Sequence, residues 1–254
     1  MPDENDELAQ LWSWFGETFC RDDSPLYGRI TEAVAGDPEA LELVRQAPPA
    51  AHLPLTLLAA VHYLILDGLD HPLAAVYAGR SDADPGPLFL DVCRTQRTAL
   101  AALLARRHVQ TNDCGRSAVI GLGLTWLAAG LDGPLALVDV GASAGINLLC
   151  DRYRLDYGAH GATGPADSPV VIDCQVLGGA PPVADRLPPL AIRMGLDQAP
   201  VDLTDPADAR WLLACVWPDT GRRERTAASI ELVRGAPPTI VTGDAVAGLP
   251  DLLA

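Results

Sequence analysis

The segment Leu135–Leu149 constrains the fold of this chain most strongly. Its sequence, LALVDVGASAGINLL, predicts a buried strand, a turn over Gly141–Gly145 and the start of a helix. Such a turn lets the backbone approach a ligand closely, with the amide groups of the following helix facing that ligand. Two chemistries use this arrangement. A nucleotide-type cofactor can lie against the turn, or a nucleophilic serine can occupy it, because Gly141–Gly145 also fits the pattern G-x-S-x-G.

The basic residues restrict the possible chemistry. All 18 of them are arginine, so the chain contains no lysine. Three protein classes need a lysine in their usual forms and are therefore excluded: P-loop nucleotide-binding proteins, protein kinases and pyridoxal-phosphate enzymes. The net charge of −15 disfavours nonspecific binding of nucleic acid, which depends on a basic surface. We expect a small-molecule or protein substrate and no nucleic-acid partner, and the sequence leaves the oligomeric state open.

Cysteine spacing and hydropathy indicate the setting of the protein. The six cysteines are scattered and form no C-x-x-C pair, which predicts reduced thiols and no metal site. No apolar run reaches the roughly 18 residues that span a bilayer. The acidic N-terminus lacks the basic and then apolar order of a signal peptide. These features predict a cytoplasmic protein that makes no membrane contact.

The apolar pattern divides the chain into two predicted domains. Residues 1–131 carry apolar side chains at helical spacing and predict a helical domain. Residues 132–254 alternate apolar strands with helices, which predicts a Rossmann-like parallel sheet with right-handed crossovers. A Gly- and Pro-rich arm at about 158–189 interrupts this second domain. The predicted fold class is α/β, and the predicted helices include 53–66, 91–107, 114–129 and 145–152.

Each of the three predicted strands ends at or near an aspartate. The strands are Leu135–Val140, Leu190–Asp197 and Thr239–Asp244. In an open α/β sheet, ligands bind where the carboxyl ends of the strands meet. This pattern is methyltransferase-like: a glycine turn contacts the cofactor, one carboxylate binds its ribose, and a further polar group lies near its adenine. The predicted cofactor is S-adenosylmethionine, and the residues predicted to bind it are Asp139, Gly141, Ser143, Gly145, Asn147, Asp197, Gly243 and Asp244.

Two features of this prediction leave alternatives open. Ser143 stands where many such turns have glycine, and serine tolerates a tight turn less well. Asp156 and Asp173 compete with Asp197 for the ribose carboxylate. Asp197 is preferred because its strand is followed by a capped helix and then another strand. No catalytic base is predicted, since methyl transfer depends mainly on orienting donor and acceptor.

Other polar residues have both a functional and a structural interpretation. Three of them lie between two apolar helices and are predicted to bind the acceptor or the carboxylate of the cofactor: Gln110, Asn112 and Arg116. Helix capping and loop hydrogen bonds are the alternative role for these residues. His62 lies in an apolar helix, which predicts a core histidine, with a general base as the alternative.

Other functions compete with the methyltransferase hypothesis. A serine hydrolase would use Ser143, but the only later histidine is His160, 17 residues on and within the arm. A dinucleotide-binding dehydrogenase would need G-x-G-x-x-G and a carboxylate about 20 residues downstream. The third alternative is a noncatalytic binding module in which the glycine turn is merely structural.

Several motifs along the chain resemble one known family. They are Asp23–Tyr27, Leu58–Leu64, His71–Leu73, Val109–Asp113, Val140–Leu148, Asp151–Tyr153, Ala209–Trp211 and Val216–Pro218. Together they resemble the bacterial family called domain of unknown function 2332, over nearly the whole chain. The second half is similar to class I S-adenosylmethionine-dependent methyltransferases, which implies cofactor roles for Asp139, Gly141, Gly145, Asp197 and Asp244. Members of both groups continue beyond the third strand, so the resemblance implies that the sheet is incomplete at Ala254 and that the chain is a fragment.

Overall fold

The computed structural model describes residues 4–253 as an α/β protein with two compact units. The first unit contains the described residues up to Gln110 together with Arg210–Arg223, and the second contains Thr111–Ala209 and the residues from Glu224 onward. The sequence pattern had placed a single boundary at residue 131. The division in the structure falls earlier, and a later segment returns to the first unit. No helix among the described residues is long and apolar enough to cross a membrane.

The first unit is helical, and prolines begin most of its helices. The helices are α1 (Glu4–Phe15), α2 (Pro25–Ala35), α3 (Pro38–Arg45), α4 (Pro54–Leu66), α5 (Pro72–Tyr77), α6 (Pro85–Thr95) and α7 (Arg97–Leu104), with a π-helical turn at Gly16–Cys20. Proline suits the first helical position because the amide it lacks has no partner there. Side chains of Ser24, Asp37 and Asp84 cap the helices that follow by accepting backbone N–H bonds.

Helix α4 supplies the centre of the core of this unit. Its residues Leu57–Val61 are buried, as the continuous apolar sequence predicts. His62 is only 1% exposed, and its Nδ1 lies 3.0 Å from the Ala214 carbonyl oxygen. Burial lowers the pKa of His62 to about 4. The prediction that His62 is a core histidine is therefore confirmed.

One predicted helix is divided into two. The sequence predicts a continuous helix over 91–107, but α6 ends at Thr95 and α7 begins at Arg97. Gln96 between them has φ −107° and ψ 20°. The Thr95 hydroxyl donates to the Asp91 carbonyl at 2.8 Å, an interaction that bends helices. The prediction of one continuous helix is wrong. The Thr95 hydroxyl competes for a carbonyl of the helix backbone, and the spacing of apolar residues does not reveal such a competition.

The second unit is built on a parallel sheet of three strands. It begins with helix α8 (Ser117–Ala128) and strand β1 (Leu135–Val140). The later strands are β2 (Arg154–Asp156), β3 (Ala162–Thr163), β4 (Val171–Asp173), β5 (Leu190–Asp197) and β6 (Thr239–Thr242). The later helices are α9 (Pro206–Ala214), α10 (Arg223–Gly235) and α11 (Ala245–Leu253), of which α9 from Arg210 onward and the first residue of α10 belong to the first unit. The main sheet has the spatial order β1-β5-β6, and both strand pairs are parallel. The three predicted strands are therefore confirmed.

The segment between β1 and β5 differs from the expected helix and arm. The predicted helix over 145–152 is instead a 3₁₀ segment, Ile146–Arg152, with a kink at Leu149. After it, the short strands β2, β3 and β4 form a second sheet in the order β3-β2-β4. Helix α8 packs on the main sheet through Leu124. This residue forms a hydrophobic cluster with Cys150 and with Leu190 of β5. The main sheet and its loops therefore form the framework of the candidate site.

Candidate functional site

A cleft of about 320 Å³ lies at the carboxyl ends of β1, β5 and β6. Its lining residues come from the ends of all three strands and the loops after them: Val140, Gly141, Leu196, Asp197, Gln198, Gly243 and Ala245. Small-molecule sites usually have volumes of roughly 300–1,000 Å³. The carboxyl edge of a parallel sheet is also where open α/β folds bind their ligands. The cleft is therefore the candidate binding site of the second unit.

The turn after β1 contributes Gly141 to the lining of this cleft. Gly141, Ser143 and Gly145 have positive φ angles of 79°, 50° and 73°. Ser143 is the only residue other than glycine with a positive φ in the described part of the chain. A Cβ at Gly145 would lie 2.6 Å from Pro238 Cγ, whereas a Cβ at Gly141 would meet nothing within 4 Å. Gly145 is thus needed for packing, and Gly141 presents open backbone.

Asp197 closes the turn from the neighbouring strand. Its Oδ2 accepts a hydrogen bond from the Ser143 amide at 2.7 Å, and its Oδ1 accepts from the Ala199 amide at 2.8 Å. The Gly141 amide donates to the Leu196 carbonyl at 2.7 Å. These bonds place the carboxylate between the glycine turn and the loop that follows β5.

Most amides of the turn are used within the protein. Gly141 and Ala142 donate to the Leu196 carbonyl, and Gly145 donates to the Ala142 carbonyl at 2.7 Å. Ser143 donates to Asp197, as described above. A phosphate cradle needs free backbone amides and the dipole of a following α-helix. Here four amides already have acceptors, and a kinked 3₁₀ segment of 7 residues follows the turn. The site is therefore poorly suited to a phosphate.

The Asp139 carboxyl is within electrostatic range of Asp197 and Arg116. Its Cα is in register with Gly195 of the central strand, and its side chain is half-buried. Burial raises the pKa of Asp139, the positive charge of Arg116 opposes that rise, and the negative charge of Asp197 adds to it. Arg116 itself donates from Nη2 to the Thr111 carbonyl at 3.0 Å. An arginine and two aspartates therefore interact electrostatically around the turn.

Asp244 lies between two residues that line the cleft, Gly243 and Ala245. Its Oδ1 accepts from the Val246 and Ala247 amides at 2.9 and 3.1 Å, which caps helix α11. These two bonds lower the pKa of Asp244, and the bond from Ala247 has the larger effect. Gln198, which lines the cleft, donates from Nε2 to Asp244 Oδ2 at 3.1 Å. The sequence analysis missed Gln198, although its place directly after the aspartate that ends β5 was a usable signal.

A buried chain of polar side chains supports the turn. Asn112 Nδ2 donates to the Ala142 carbonyl at 3.0 Å, and Asn147 Nδ2 donates to Asn112 Oδ1 at 3.4 Å. Ser117 Oγ donates to Asn147 Oδ1 at 2.9 Å. All three side chains are at most 5% exposed. The amides predicted to bind ligand therefore hold the turn, and Ser117 is a further member that no sequence motif indicated.

Of the predicted site residues, Gly141, Asp197 and Gly243 line the cleft. Gln110 is the last residue of the first unit before the division, and Asn112 and Arg116 belong to the second unit. Asp156 and Asp173, the competing candidates for the ribose carboxylate, lie opposite each other in the second sheet. Of the three candidates for that role, Asp197 alone lines the cleft. Within the described residues no group of three or more metal-ligating side chains is present.

The chain matches one protein family over residues 9–254, described as an uncharacterized protein conserved in bacteria (DUF2332). It therefore belongs to this family, and the resemblance identified from the sequence motifs is confirmed. No curated protein and no solved structure matches the chain. These comparisons lend no support to the similarity with class I methyltransferases.

Proposed function

We propose that this protein binds S-adenosylmethionine and acts as a methyltransferase-like protein on a small-molecule or protein acceptor. One observation carries the proposal. Three adjacent parallel strands bring Gly141 of the glycine turn, Asp197 and Gly243 to one cleft, in the order that the sequence pattern required.

The residues of the cleft are compatible with an adenosine-bearing cofactor. Each oxygen of Asp197 accepts one backbone bond, and a carboxylate offers about four acceptor positions. Two positions therefore remain for the two ribose hydroxyls. Gly141 offers open backbone, since nothing lies within 4 Å of where its Cβ would be. When bound, S-adenosylmethionine supplies an electrophilic methyl group, and the protein contributes mainly orientation.

The charges favour a cationic nucleoside over a dinucleotide. Asp197 lines the cleft, Asp139 directly precedes the lining residue Val140, and Asp244 lies between the lining residues Gly243 and Ala245, while four turn amides that could hold a phosphate are already bonded. A dinucleotide would bring a pyrophosphate toward these carboxylates. A sulfonium nucleoside brings a positive charge and a zwitterionic amino-acid end. We assign Asp139 to its ammonium group and Arg116 to its carboxylate.

The serine hydrolase alternative is disfavoured by the surroundings of Ser143. Its side chain is 4% exposed, and its hydroxyl oxygen has no hydrogen-bond partner among the described residues. A nucleophilic serine needs access to substrate and a base within hydrogen-bond reach. His160 instead belongs to a short 3₁₀ turn, Gly158–His160, between β2 and β3.

Calorimetry on the full chain tests the proposal. We expect binding of S-adenosylmethionine and of S-adenosylhomocysteine, and at least ~10-fold weaker binding in Asp197→Ala because the ribose loses its acceptor. Asp156→Ala is the matched control, since Asp156 also accepts a backbone bond two residues on, at Gly158, but lies in the second sheet. Absence of heat with millimolar ligand would refute the proposal. Labelling by a fluorophosphonate that Ser143→Ala abolishes would establish the hydrolase instead, and blank results in both assays would leave the noncatalytic module.

A further inference from the structure

We infer that Asp197 is a positioning residue that holds Ser143 in its left-handed conformation and so fixes the turn that begins at the cleft residue Gly141 before any ligand binds. This positioning role rests on the proposed function only for the ligand that is titrated in one of the measurements below.

Ser143 carries two local costs. Its φ of 50° lies in the left-handed region, which disfavours a residue with a Cβ by roughly 5- to 30-fold relative to the right-handed region. Its buried hydroxyl oxygen has no partner, which adds a desolvation cost. Backbone conformations of this kind persist only where the surrounding structure fixes them. Gly141 and Gly145 have positive φ as well, but glycine adopts it without this penalty.

The segment after β5 supplies the compensating contacts. The Ser143 amide donates to Asp197 Oδ2 at 2.7 Å, a bond to an ionised acceptor, and such bonds are about twice as strong as neutral ones. The Ser143 carbonyl accepts from the Val201 amide at 3.2 Å. Asp197 Oδ1 accepts from Ala199, which fixes the same segment. Both backbone groups of Ser143 are thus held by residues 197–201, with the carboxylate as the charged contact.

This arrangement makes a specific prediction about coupling between two positions. If the carboxylate maintains the conformation, its loss matters most when residue 143 has a Cβ. Asp197→Asn should lower the folding equilibrium constant about 10-fold or more in the wild-type background, because the amide nitrogen that replaces one oxygen accepts no hydrogen bond. In a Ser143→Gly background the loss should be several-fold smaller. Ser143→Ala removes the unpartnered hydroxyl but keeps the Cβ, so it should give no such relief.

The experiment is a double-mutant cycle measured by urea unfolding of the full chain. The inference is supported if Asp197→Asn lowers the folding equilibrium constant less in the Ser143→Gly background than in wild type, and if the Ser143→Ala background shows no such reduction. Equal effects of the two serine variants, or additive effects, would overturn it. Asp156→Asn is the control, because its cost should be the same with serine or glycine at position 143. If Asp197→Asn does not fold, recovery of folding in the Ser143→Gly double variant decides the question in the same way.

Amide hydrogen exchange gives a readout that overall stability does not reproduce. In the Asp197→Asn, Ser143→Gly double variant, the amide at position 143 should exchange at least ~10-fold faster than in wild type, because a neutral side-chain amide replaces its charged acceptor, while amides within β1 keep their protection. Unchanged exchange at position 143 would refute the positioning role. Titration with S-adenosylhomocysteine is separate: absence of binding defeats the proposed function but leaves the cycle and the exchange result as they are.

Discussion

Asn112 donates its side-chain amide to the carbonyl of Ala142, 30 residues further along the chain and inside the glycine turn. The same amide group accepts from Asn147 with its oxygen. A buried asparagine therefore ties the segment before α8 to the turn after β1. Because both partners are buried, removal of this side chain leaves polar groups without hydrogen bonds.

Asn112→Ala is expected to destabilise the protein by about 1–3 kcal/mol, the usual cost of leaving a buried donor or acceptor unsatisfied. Urea unfolding of wild type and variant measures this difference. Gln198→Ala is the control, because Gln198 is exposed and its amide bonds only at the surface with Asp244. Its effect should stay within about 0.5 kcal/mol. Equal effects of the two substitutions would show that the Asn112 network does not support the turn.

Gly145→Ala and Gly141→Ala should separate stability from binding. Both add a Cβ to a residue with positive φ, at a cost of about 1–2 kcal/mol. At Gly145 the new Cβ also meets Pro238 Cγ at 2.6 Å, so we expect a total loss of about 3 kcal/mol or more. At Gly141 it meets open space beside the cleft, so ligand affinity should fall more than stability. Thermal unfolding and calorimetry check this, and a greater loss of stability at Gly141 would contradict it.

Asp139→Asn should stabilise the protein at neutral pH. Burial raises the pKa of Asp139 above the usual 3.8, so the folded state holds its proton more tightly than the unfolded state. The charged carboxylate therefore lowers the free energy of unfolding as the pH rises through the folded pKa. The variant lacks this loss, and its advantage should disappear as the pH falls to 3.8 and below. Urea unfolding over this range measures the difference, and a constant advantage at every pH would refute the assignment.

Asp244→Asn should show the opposite pH dependence. Backbone bonds from Ala247 and Val246 lower the pKa of Asp244 below 3.8, so its contribution to stability is present above that value. The contribution is lost as the pH falls through the folded pKa. The variant is therefore expected to be less stable than wild type at neutral pH and to approach it on acidification. Urea unfolding over the same pH range checks this. A difference in unfolding free energy between wild type and variant that grows in acid would contradict the prediction.

His62→Gln should flatten the acid limb of the stability curve. The pKa of His62 falls from 6.5 to about 4 on folding, because burial disfavours the charged ring. Between these values the unfolded state binds more protons, so wild type should lose about 1.4 kcal/mol for each pH unit of acidification. Glutamine does not titrate and can still donate to the Ala214 carbonyl. Unfolding free energies across this window test the slope, and an unchanged slope in the variant would assign it to other groups.

The sequence was sufficient to predict features that have local causes. The apolar run before each of Asp139, Asp197 and Asp244 predicts its strand, and the parallel order follows from the helices between β5 and β6. Contacts between distant residues were not predictable in this way. The pairing of Asn112 with Ala142 joins positions 30 residues apart, and no pattern of period 2 or 3.6 encodes it. The assignment of ligand-binding roles stays a prediction, because a polar residue near a glycine turn can serve either the ligand or the backbone.

The segment Arg210–Arg223 belongs to the first unit although it follows most of the second in sequence. Trp211 is 2% exposed there and donates from Nε1 to the His108 carbonyl, while Asp219 accepts from Ser24 and from the amide of Leu26. A recombinant piece that starts at Thr111 would contain the glycine turn. Its Trp211 would lack the His108 carbonyl that accepts the indole hydrogen bond. The complementary piece would lack the acceptor that anchors the first turn of α2. Neither half is therefore a self-contained module. Ligand binding measured on one half alone would be altered by the loss of these contacts.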